Sequence, residues 1–154
     1  MKRILVDAEK CAGCRYCEMV CSFHHEGVFS PSLSRVTVIK EDMHGLDYPV
    51  LCRQCETCPS VEACPSEAFR KTDGGTVEVD EGLCTGCGAC VEACTFDAVR
   101  LNGSRVMVCD QCSGSPACVE GCPTEALSFE ESDEPPEHYG TVFEALMRRW
   151  GIGA

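Results

Sequence analysis

The sequence predicts a small, loop-rich α+β fold in which short strands and helical turns wrap around groups of cysteines. The chain has 154 residues, enough for one domain, but 16 of them are cysteines and only 6% are aromatic. An ordinary hydrophobic core would be thin at this composition, so the cysteines must help to hold the fold together. Segments such as Ile4-Leu-Val6 and Val77-Glu-Val79 have the length and residue types of short strands.

One group of cysteines indicates the chemistry. Its members are separated by two, two and three residues, in the order Cys84, Cys87, Cys90 and Cys94. This is the spacing of the loop that holds a 4Fe–4S cluster in bacterial ferredoxins. Because such a loop must curl tightly, Gly86 and Gly88 are expected to adopt positive φ angles, and inward-facing amides can then hydrogen-bond the sulfurs.

Two other uses of many cysteines are disfavoured. Disulfides are typical of secreted proteins, but only three apolar residues separate the initial Met1-Lys-Arg from Asp7, too few for the core of a signal peptide. Zinc ribbons use separated Cys-x-x-Cys pairs, whereas Cys11, Cys14 and Cys17 form a triplet whose third member has no role in a tetrahedral zinc site. Iron–sulfur clusters are therefore the favoured interpretation.

Charge and hydropathy exclude further classes. The net charge of −12 makes nucleic acid an unsuitable partner and favours basic docking surfaces on protein partners. No apolar run approaches the length of a membrane span, and a cytoplasmic location is expected. The chain has no glycine-rich phosphate loop after a strand, no nucleophile–base pair and no recognisable pterin site, which predicts a protein that is not itself an enzyme.

Three further cysteine groups accompany the one described. They are Cys11, Cys14, Cys17 and Cys21; Cys52, Cys55, Cys58 and Cys64; and Cys109, Cys112, Cys118 and Cys122. In chain order, the first and third groups follow a short strand and an acidic residue, whereas the second and fourth share a Cys-x-Gln-Cys entry. This alternation predicts a four-cluster domain at residues 1–128, duplicated as pseudo-repeat halves 1–73 and 74–128.

The second group is irregular. A phrase Val-Glu-Ala or Val-Glu-Gly precedes the last cysteine of each later group, and a cysteine stands before it at Cys90 and Cys118. Ser60 occupies that place in the second group, and its third cysteine has moved two places upstream, to Cys58. We expect Cys58 to ligate the cluster after a local change in the loop. A three-iron cluster, or Ser60 as an oxygen ligand, is the alternative.

The longest stretch without cysteine spans residues 22–51. Within it, residues 34–40 alternate like a half-buried strand. His24 and His25 are candidate metal ligands, but the cysteines already supply four complete clusters, so packing within the loop is their expected role.

The chain changes character after the last cysteine group. Residues 129–140 are acidic and contain prolines, which predicts an extended, solvated linker. Residues 141–154 are predicted to form a C-terminal docking helix and tail, with Thr141 as the N-cap. The helix carries one apolar stripe, made of Val142, Phe143, Leu146, Met147 and Trp150. Two roles are open for this stripe: packing back onto its own domain, or docking on a partner subunit.

Spacing alone does not assign each cysteine to a cluster. In two-cluster ferredoxins the last cysteine of each run ligates the other cluster, so ligand sets cross between groups. Either neighbouring groups pair, first with second and third with fourth, or the groups are nested, first with fourth and second with third. The duplication favours the neighbouring arrangement.

Residues 1–130 resemble the four-cluster ferredoxin-like subunits of molybdenum and tungsten oxidoreductases, and of related hydrogenase, carbon monoxide dehydrogenase and benzoyl-CoA reductase systems. The shared feature is the four cysteine groups in this order. Three segments, at residues 11–18, 22–31 and 34–36, are most similar to the small iron–sulfur subunit of multi-subunit tungsten-containing aldehyde oxidoreductases. The resemblance implies the nested arrangement. Its ligand sets would be Cys11, Cys14, Cys17 with Cys122; Cys109, Cys112, Cys118 with Cys21; Cys52, Cys55, Cys58 with Cys94; and Cys84, Cys87, Cys90 with Cys64.

Four clusters in one small chain predict a conduit, and the resemblance implies its place. We expect an electron-transfer subunit that relays single electrons through four 4Fe–4S clusters. Its partners would be a catalytic subunit with tungsten– or molybdenum–pterin and a second redox partner, a flavin subunit or a ferredoxin. Self-association of several copies into a longer wire is a further implication. The alternatives are a free soluble polyferredoxin, the electron-transfer subunit of a hydrogenase, carbon monoxide dehydrogenase or benzoyl-CoA reductase complex, and a cluster-stabilised structural protein.

Overall fold

Short elements connect the cysteine-bearing loops in the computed structural model, which describes residues 1–153. The strands are β1 Lys2–Val6, β2 Thr37–Glu41, β3 Leu46–Val50, β4 Phe69–Lys71, β5 Val77–Val79, β6 Arg100–Asn102, β7 Arg105–Met107 and β8 Leu127–Glu131. The α-helices are α1 Tyr16–Glu26, α2 Pro59–Glu62, α3 Ala89–Ala93, α4 Ala117–Glu120 and α5 Tyr139–Trp150, with 3₁₀ turns at Pro31–Leu33 and Gln111–Gly114. The predicted mixture of short strands and helical turns is confirmed.

The strands pair two by two in antiparallel fashion, β1 with β8, β2 with β3, β4 with β5 and β6 with β7. Three of these pairs are local hairpins. The fourth, β1 with β8, joins the two ends of the cysteine-rich region and places Ile4 opposite Phe129. Residues far apart in sequence, on both sides of the loops, are therefore held together by one ladder.

The buried core combines apolar side chains with cysteines. Leu46, Leu51 and Val77 are each at most 2% exposed, and Cys52 and Cys109 belong to the same buried cluster. The cysteine loops thus contribute directly to the core, as expected from the low aromatic content of the sequence.

Two predicted strands are confirmed and one is shifted. The segments Ile4–Val6 and Val77–Val79 lie within β1 and β5. The strand predicted at residues 34–40 begins only at Thr37. Ser34 makes a tight local turn instead, because its hydroxyl donates to the carbonyl oxygen of Val36 at 2.7 Å and accepts from the Val36 amide at 3.1 Å.

The start of the predicted linker and the predicted helix cap both differ from expectation. β8 continues to Glu131, whose carboxylate forms an ion pair of 2.8 Å with the N-terminal amino group, so residues 129–131 are strand. The prediction of Thr141 as N-cap was wrong, because α5 begins at Tyr139. The cap is His138, whose Nδ1 accepts a hydrogen bond from the Gly140 amide at 3.0 Å.

Helix α5 packs on its own chain with part of its apolar stripe. Phe143 and Leu146 are each 7% exposed, whereas Trp150 remains 44% exposed. The Phe143 ring lies 6.2 Å from that of Tyr48 on β3, in an edge-on geometry. Of the two roles open for the stripe, packing back onto the domain therefore accounts for its central residues. Among residues 1–153, every helix is too short or too polar to cross a bilayer.

Candidate metal centres

Two pockets in the structure are each lined by four cysteines. One of these sets, which we name outer set 2, consists of Cys84, Cys87, Cys90 and Cys64. The other, which we name inner set 2, consists of Cys52, Cys55, Cys58 and Cys94. In both sets three cysteines come from one group and the fourth from another, so the second and third groups exchange their last cysteines.

The other eight cysteines show the same exchange. Outer set 1 consists of Cys11, Cys14, Cys17 and Cys122, and inner set 1 of Cys109, Cys112, Cys118 and Cys21. Burial raises the pKa of Cys11, and the nearby sulfurs of Cys122 and Cys14 raise it further. Burial raises the pKa of Cys118 to about 12, with a contribution from the sulfur of Cys21. The proximities are those of the nested arrangement, not of the neighbouring one that the duplication favoured.

The chemistry of these sets fits a cationic metal group. All 16 cysteines are free of disulfides. Burial raises the pKa of Cys17 and of Cys52 to about 12, and it raises the pKa of Cys109 well above the usual range. Four sulfurs that converge on one point, some of them buried, disfavour the thiolate form unless positive charge lies between them. Iron supplies that charge, and four thiolates are the ligand number of a 4Fe–4S cluster.

All four loops place a left-handed residue at one shared position, between the first two cysteines of each group. Gly13 and Gly86 have φ of +61° and +68°, as the tight curl requires, and Gln54 and Gln111 have φ of +51° and +58°. The predicted positive φ of Gly86 and Gly88 is confirmed, the latter at +83°. Sequence reasoning missed the glutamines, although the alignment of Cys-x-Gln-Cys with Cys-x-Gly-Cys was the available signal.

Backbone amides donate to sulfurs of two sets. The Phe69 amide lies 3.4 Å from Cys64 Sγ, and the Arg35 amide lies 3.2 Å from Cys21 Sγ. Burial opposes ionisation of Cys64, but the Phe69 amide and the Ser66 hydroxyl outweigh it and lower the pKa of that thiol. Such donors stabilise negative charge on a metal-bound sulfur.

Two family models match most of the chain between them. The one described as a 4Fe-4S dicluster domain covers residues 43–132, and the one described as a 4Fe-4S binding domain covers residues 3–29. The chain belongs to the 4Fe-4S dicluster family.

Relatives of this 4Fe-4S dicluster protein carry names of electron-transfer components. The polyferredoxin-like subunit of aliphatic sulfonate oxidoreductase from Pyrococcus furiosus is 43% identical over 110 residues, 70% of this chain and 63% of that one. Formate hydrogenlyase subunit 2 of Escherichia coli is 35% identical over 102 residues, 66% of this chain and 49% of that one. The electron transport protein HydN of Escherichia coli is 37% identical over 105 residues, 64% of this chain and 58% of that one. The chain thus spans between about half and two thirds of these relatives.

Solved structures show the same likeness over nearly the whole 4Fe-4S dicluster chain. A chain of the BamBC active site complex of benzoyl-coenzyme A reductase, as isolated, is 29% identical with a TM-score of 0.51, covering 97% of this chain and 91% of that one. The complex with benzoyl-CoA gives 26% identity and a TM-score of 0.52, with coverages of 97% and 92%. The expectation of a polyferredoxin-like iron–sulfur protein is confirmed. The narrower similarity to tungsten-containing aldehyde oxidoreductases stays a prediction.

Contacts connect the sets in one order, here called the row: outer set 1, inner set 1, inner set 2 and outer set 2. Burial and then the sulfur of Cys118 raise the pKa of Cys17, which links outer set 1 to inner set 1. Gln54 Nε2 donates to the carbonyl oxygen of Cys109 at 2.7 Å, which links inner set 2 to inner set 1. Inner set 2 adjoins outer set 2, because the Ser60 hydroxyl donates to the carbonyl oxygen of Cys90 at 2.7 Å.

The two alternatives for the irregular second group have different surroundings. Cys58 lines the pocket of inner set 2, and its sulfur, after burial, raises the pKa of Cys55. Ser60 is only 1% exposed and lines the same pocket, but its hydroxyl donates to the Cys90 carbonyl. The serine hydroxyl thus already has a hydrogen-bond acceptor in the neighbouring set.

Exposure differs between the ends and the middle of the row. Cys14 and Cys87, one in each outer set, are exposed, whereas Cys52 and Cys109 of the inner sets are buried. The two exposed cysteines therefore lie one in each outer set, whereas cysteines of the inner sets are buried or half-buried.

His25 was expected to pack within a loop, but it lies on α1 and contacts inner set 1. Its Nε2 lies 3.6 Å from Cys112 Sγ and 3.5 Å from Asp110 Oδ1. Burial lowers the pKa of His25, and the positive charge of Arg35 lowers it further. The ligand atoms of His24, His25 and Cys112 lie within 4.8 Å of one another. Sequence spacing gave no signal for this contact, since residues 25 and 112 are 87 positions apart.

Proposed function

We propose that this chain is an electron-transfer subunit that relays single electrons between a catalytic oxidoreductase subunit and a second redox partner. The observation that carries the proposal is the row of four cysteine sets with an exposed cysteine, Cys14 or Cys87, at each end. When bound, a 4Fe–4S cluster accepts and releases one electron at a time. The names of the relatives support this role.

Each of the four sets would hold one cluster, four in all. The proximity of sulfurs from different groups supports the nested ligand sets. We assign Cys58, not Ser60, as the third loop ligand of inner set 2, because the Ser60 hydroxyl donates to the backbone of Cys90. Burial of Cys52 and Cys109 limits the access of water to these two ligands of the inner sets, and the amides that donate to sulfur adjust the local charge.

The domain plan remains part of the proposal. We infer a duplicated four-cluster domain at residues 1–128, with halves 1–73 and 74–128. The shared left-handed conformation of Gln54 and Gln111, one in each half, supports the duplication. Residues 129–140 would form the linker, and residues 141–154 would dock on a partner through the exposed face that carries Trp150.

The catalytic partner would hold tungsten or molybdenum bound to a pterin, with a tungsten-dependent aldehyde oxidoreductase as our first choice. The second partner would be a flavin subunit or a ferredoxin in the cytoplasm. The net charge of −12 favours basic surfaces on both. Self-association through the exposed ends is a further option within this proposal.

Cluster content and pairing are tested on anaerobically purified chain. We expect about sixteen iron atoms per chain, with reversible reduction followed by electron paramagnetic resonance. Under the nested sets, Cys94→Ser and Cys55→Ser should alter the same resonance, and the matched variant Cys64→Ser should alter a different one. Colourless protein with little iron would contradict the proposal, and a shared effect of Cys64→Ser and Cys55→Ser would contradict only the pairing.

Subunit and free-carrier roles are separated by capture from the native cell without oxygen. We expect the tagged chain to retain a large metal-containing oxidoreductase, and Trp150→Glu to weaken that retention. Met43→Glu is the matched control, since Met43 is 88% exposed on the turn between β2 and β3. A chain that retains no large partner would instead be a diffusing ferredoxin.

A further inference from the structure

The stretch between the first two cysteine groups places two nitrogen atoms that can carry an N–H donor beside sulfurs of inner set 1. The Arg35 amide lies 3.2 Å from Cys21 Sγ, and His25 Nε2 lies 3.6 Å from Cys112 Sγ. Neither donor belongs to a cysteine loop. Residues outside the cysteine groups therefore contact two of the four sulfurs in this set.

The position of His25 is fixed by the helix that also presents Cys21. Both residues lie on α1, four positions apart, so their side chains project from the same face of the helix. Cys21 is buried, and the side chain of His25 is only 13% exposed. The His24 ring packs edge-on against that of His25, with centroids 5.0 Å apart. The imidazole therefore has little freedom to turn away from Cys112.

Asp110 is the competing acceptor for the imidazole N–H. Its Oδ1 lies 3.5 Å from His25 Nε2 and already accepts a hydrogen bond from the Cys112 amide at 2.9 Å. This carboxylate is also 43% exposed, so it is open to solvent. His25 Nε2 thus lies beside both the sulfur of Cys112 and a carboxylate that already accepts a hydrogen bond from the Cys112 amide.

We propose that His25 tunes the reduction potential of inner set 1 by donating its Nε2–H to Cys112 Sγ. Reduction adds one negative charge to the ligand set and its iron, and a donor to a ligand sulfur stabilises that added charge. The potential at inner set 1 is therefore more positive than its cysteines alone would make it. This inference rests on the proposed function, because it requires a cluster in inner set 1.

The test compares midpoint potentials of the intact chain, loaded with iron and sulfide under argon and poised at a series of potentials. His25→Phe removes the donor but retains a flat ring, and it should shift one midpoint to a more negative value while the other three stay unchanged. His25→Gln retains an N–H donor and should shift the same midpoint by less. His24→Phe, on the neighbouring exposed residue, should shift none.

The outcomes separate tuning from structural support and from failure of the proposed function. Four unchanged midpoints in His25→Phe, or an equal shift in His24→Phe, would overturn the tuning role. Loss of about four iron atoms from His25→Phe alone would assign the ring to structural support and also overturn it. If the wild-type chain lacks reversible reduction, the proposed function itself is contradicted, whatever the variants show.

Discussion

The loops of the outer sets and those of the inner sets share a left-handed residue between their first two cysteines. They differ in the identity of that residue and in its contacts. Gly13 and Gly86 serve the outer sets with φ of +61° and +68°, and Gln54 and Gln111 serve the inner sets with φ of +51° and +58°. This conformation is unfavourable by about 1–2 kcal/mol for a residue with a side chain, whereas it is almost neutral for glycine. The glutamine side chains must therefore offset a local cost.

In the glycine loops a neighbour approaches the bare Cα. Lys40 Nζ donates to the carbonyl oxygen of Gly13 at 3.2 Å and forms an ion pair of 2.9 Å with Asp47. At Gly86, the carbonyl oxygen of Ser104 lies only 2.7 Å from where a Cβ would be. Both outer loops are thus closed by another hairpin.

In the glutamine loops the side chain makes the connection instead. Gln54 is 0% exposed, accepts from the Val77 amide at 2.8 Å and donates to the Cys109 carbonyl at 2.7 Å. Gln111 makes a longer bond, from Nε2 to the Lys2 carbonyl oxygen at 3.3 Å. Gln54 therefore provides a polar link between the two inner loops, Gln111 connects its loop to β1, and the loops of the outer sets are held by neighbouring hairpins.

The largest effect is expected from Gln54→Leu. Leucine fills a similar volume but leaves the Val77 amide and the Cys109 carbonyl without partners, and each buried unsatisfied group costs about 1–3 kcal/mol. We expect a loss of about 4 kcal/mol, read as a lower guanidinium midpoint for the disappearance of iron–sulfur absorbance. Gln111→Leu is the matched control, with a smaller loss because only one long bond is removed. Equal losses would show that the inner link is not special.

The second-largest effect is expected from Gly86→Ala, which should lower the free energy of unfolding by about 2–3 kcal/mol. The new methyl would meet backbone atoms of Ser104 at under 3.0 Å, and backbone cannot move aside without disturbing the β6–β7 hairpin. Gly103→Ala, in the turn of the same hairpin, shares a φ of +62° but has no atom within 4 Å of its Cβ position. The difference between the two thermal midpoints isolates the steric part, and identical midpoints would refute it.

The sequence predicted the fold class because short cysteine spacing forces a curled backbone at Gly86 whatever surrounds it. It did not predict the role of Gln54, since its partners lie 23 and 55 positions away and only the packed loops bring them together. The spacing of the cysteines also did not predict that Cys64 and Cys94 would each join the other group's set. Internal repetition favoured pairing of neighbouring groups instead. The sequence therefore predicted the local backbone geometry of the loops, but not the contacts between them.

Gly13→Ala should cost less than Gly86→Ala, about 1–2 kcal/mol, most of it from the left-handed φ. The new methyl would clash with Lys40 Nζ and Asp47 Cγ, but these are the ends of side chains, which can move more easily than backbone. Gly45→Ala, with φ of +67° and no atom within 4 Å, is the matched control in the same hairpin. A cost at Gly13 above that at Gly86 would mean that the Lys40–Asp47 pair is as rigid as backbone.

The smallest effect is expected from Lys40→Met, which removes the neighbour of Gly13 without altering the loop itself. The hydrogen bond from Lys40 Nζ to Asp47 raises the pKa of Lys40 above its usual value. A raised lysine pKa means that the folded state binds the proton more tightly than the unfolded chain does, so the contribution is complete below the unfolded pKa. It declines as the pH rises through the folded pKa, above 10.5. We therefore expect a slight drop in thermal midpoint at neutral pH, reduced by salt because the Lys40 side chain is exposed to solvent, and no difference from wild type at the alkaline limit. A difference that persists there would mean that the lysine stem, rather than its charge, holds the Gly13 loop.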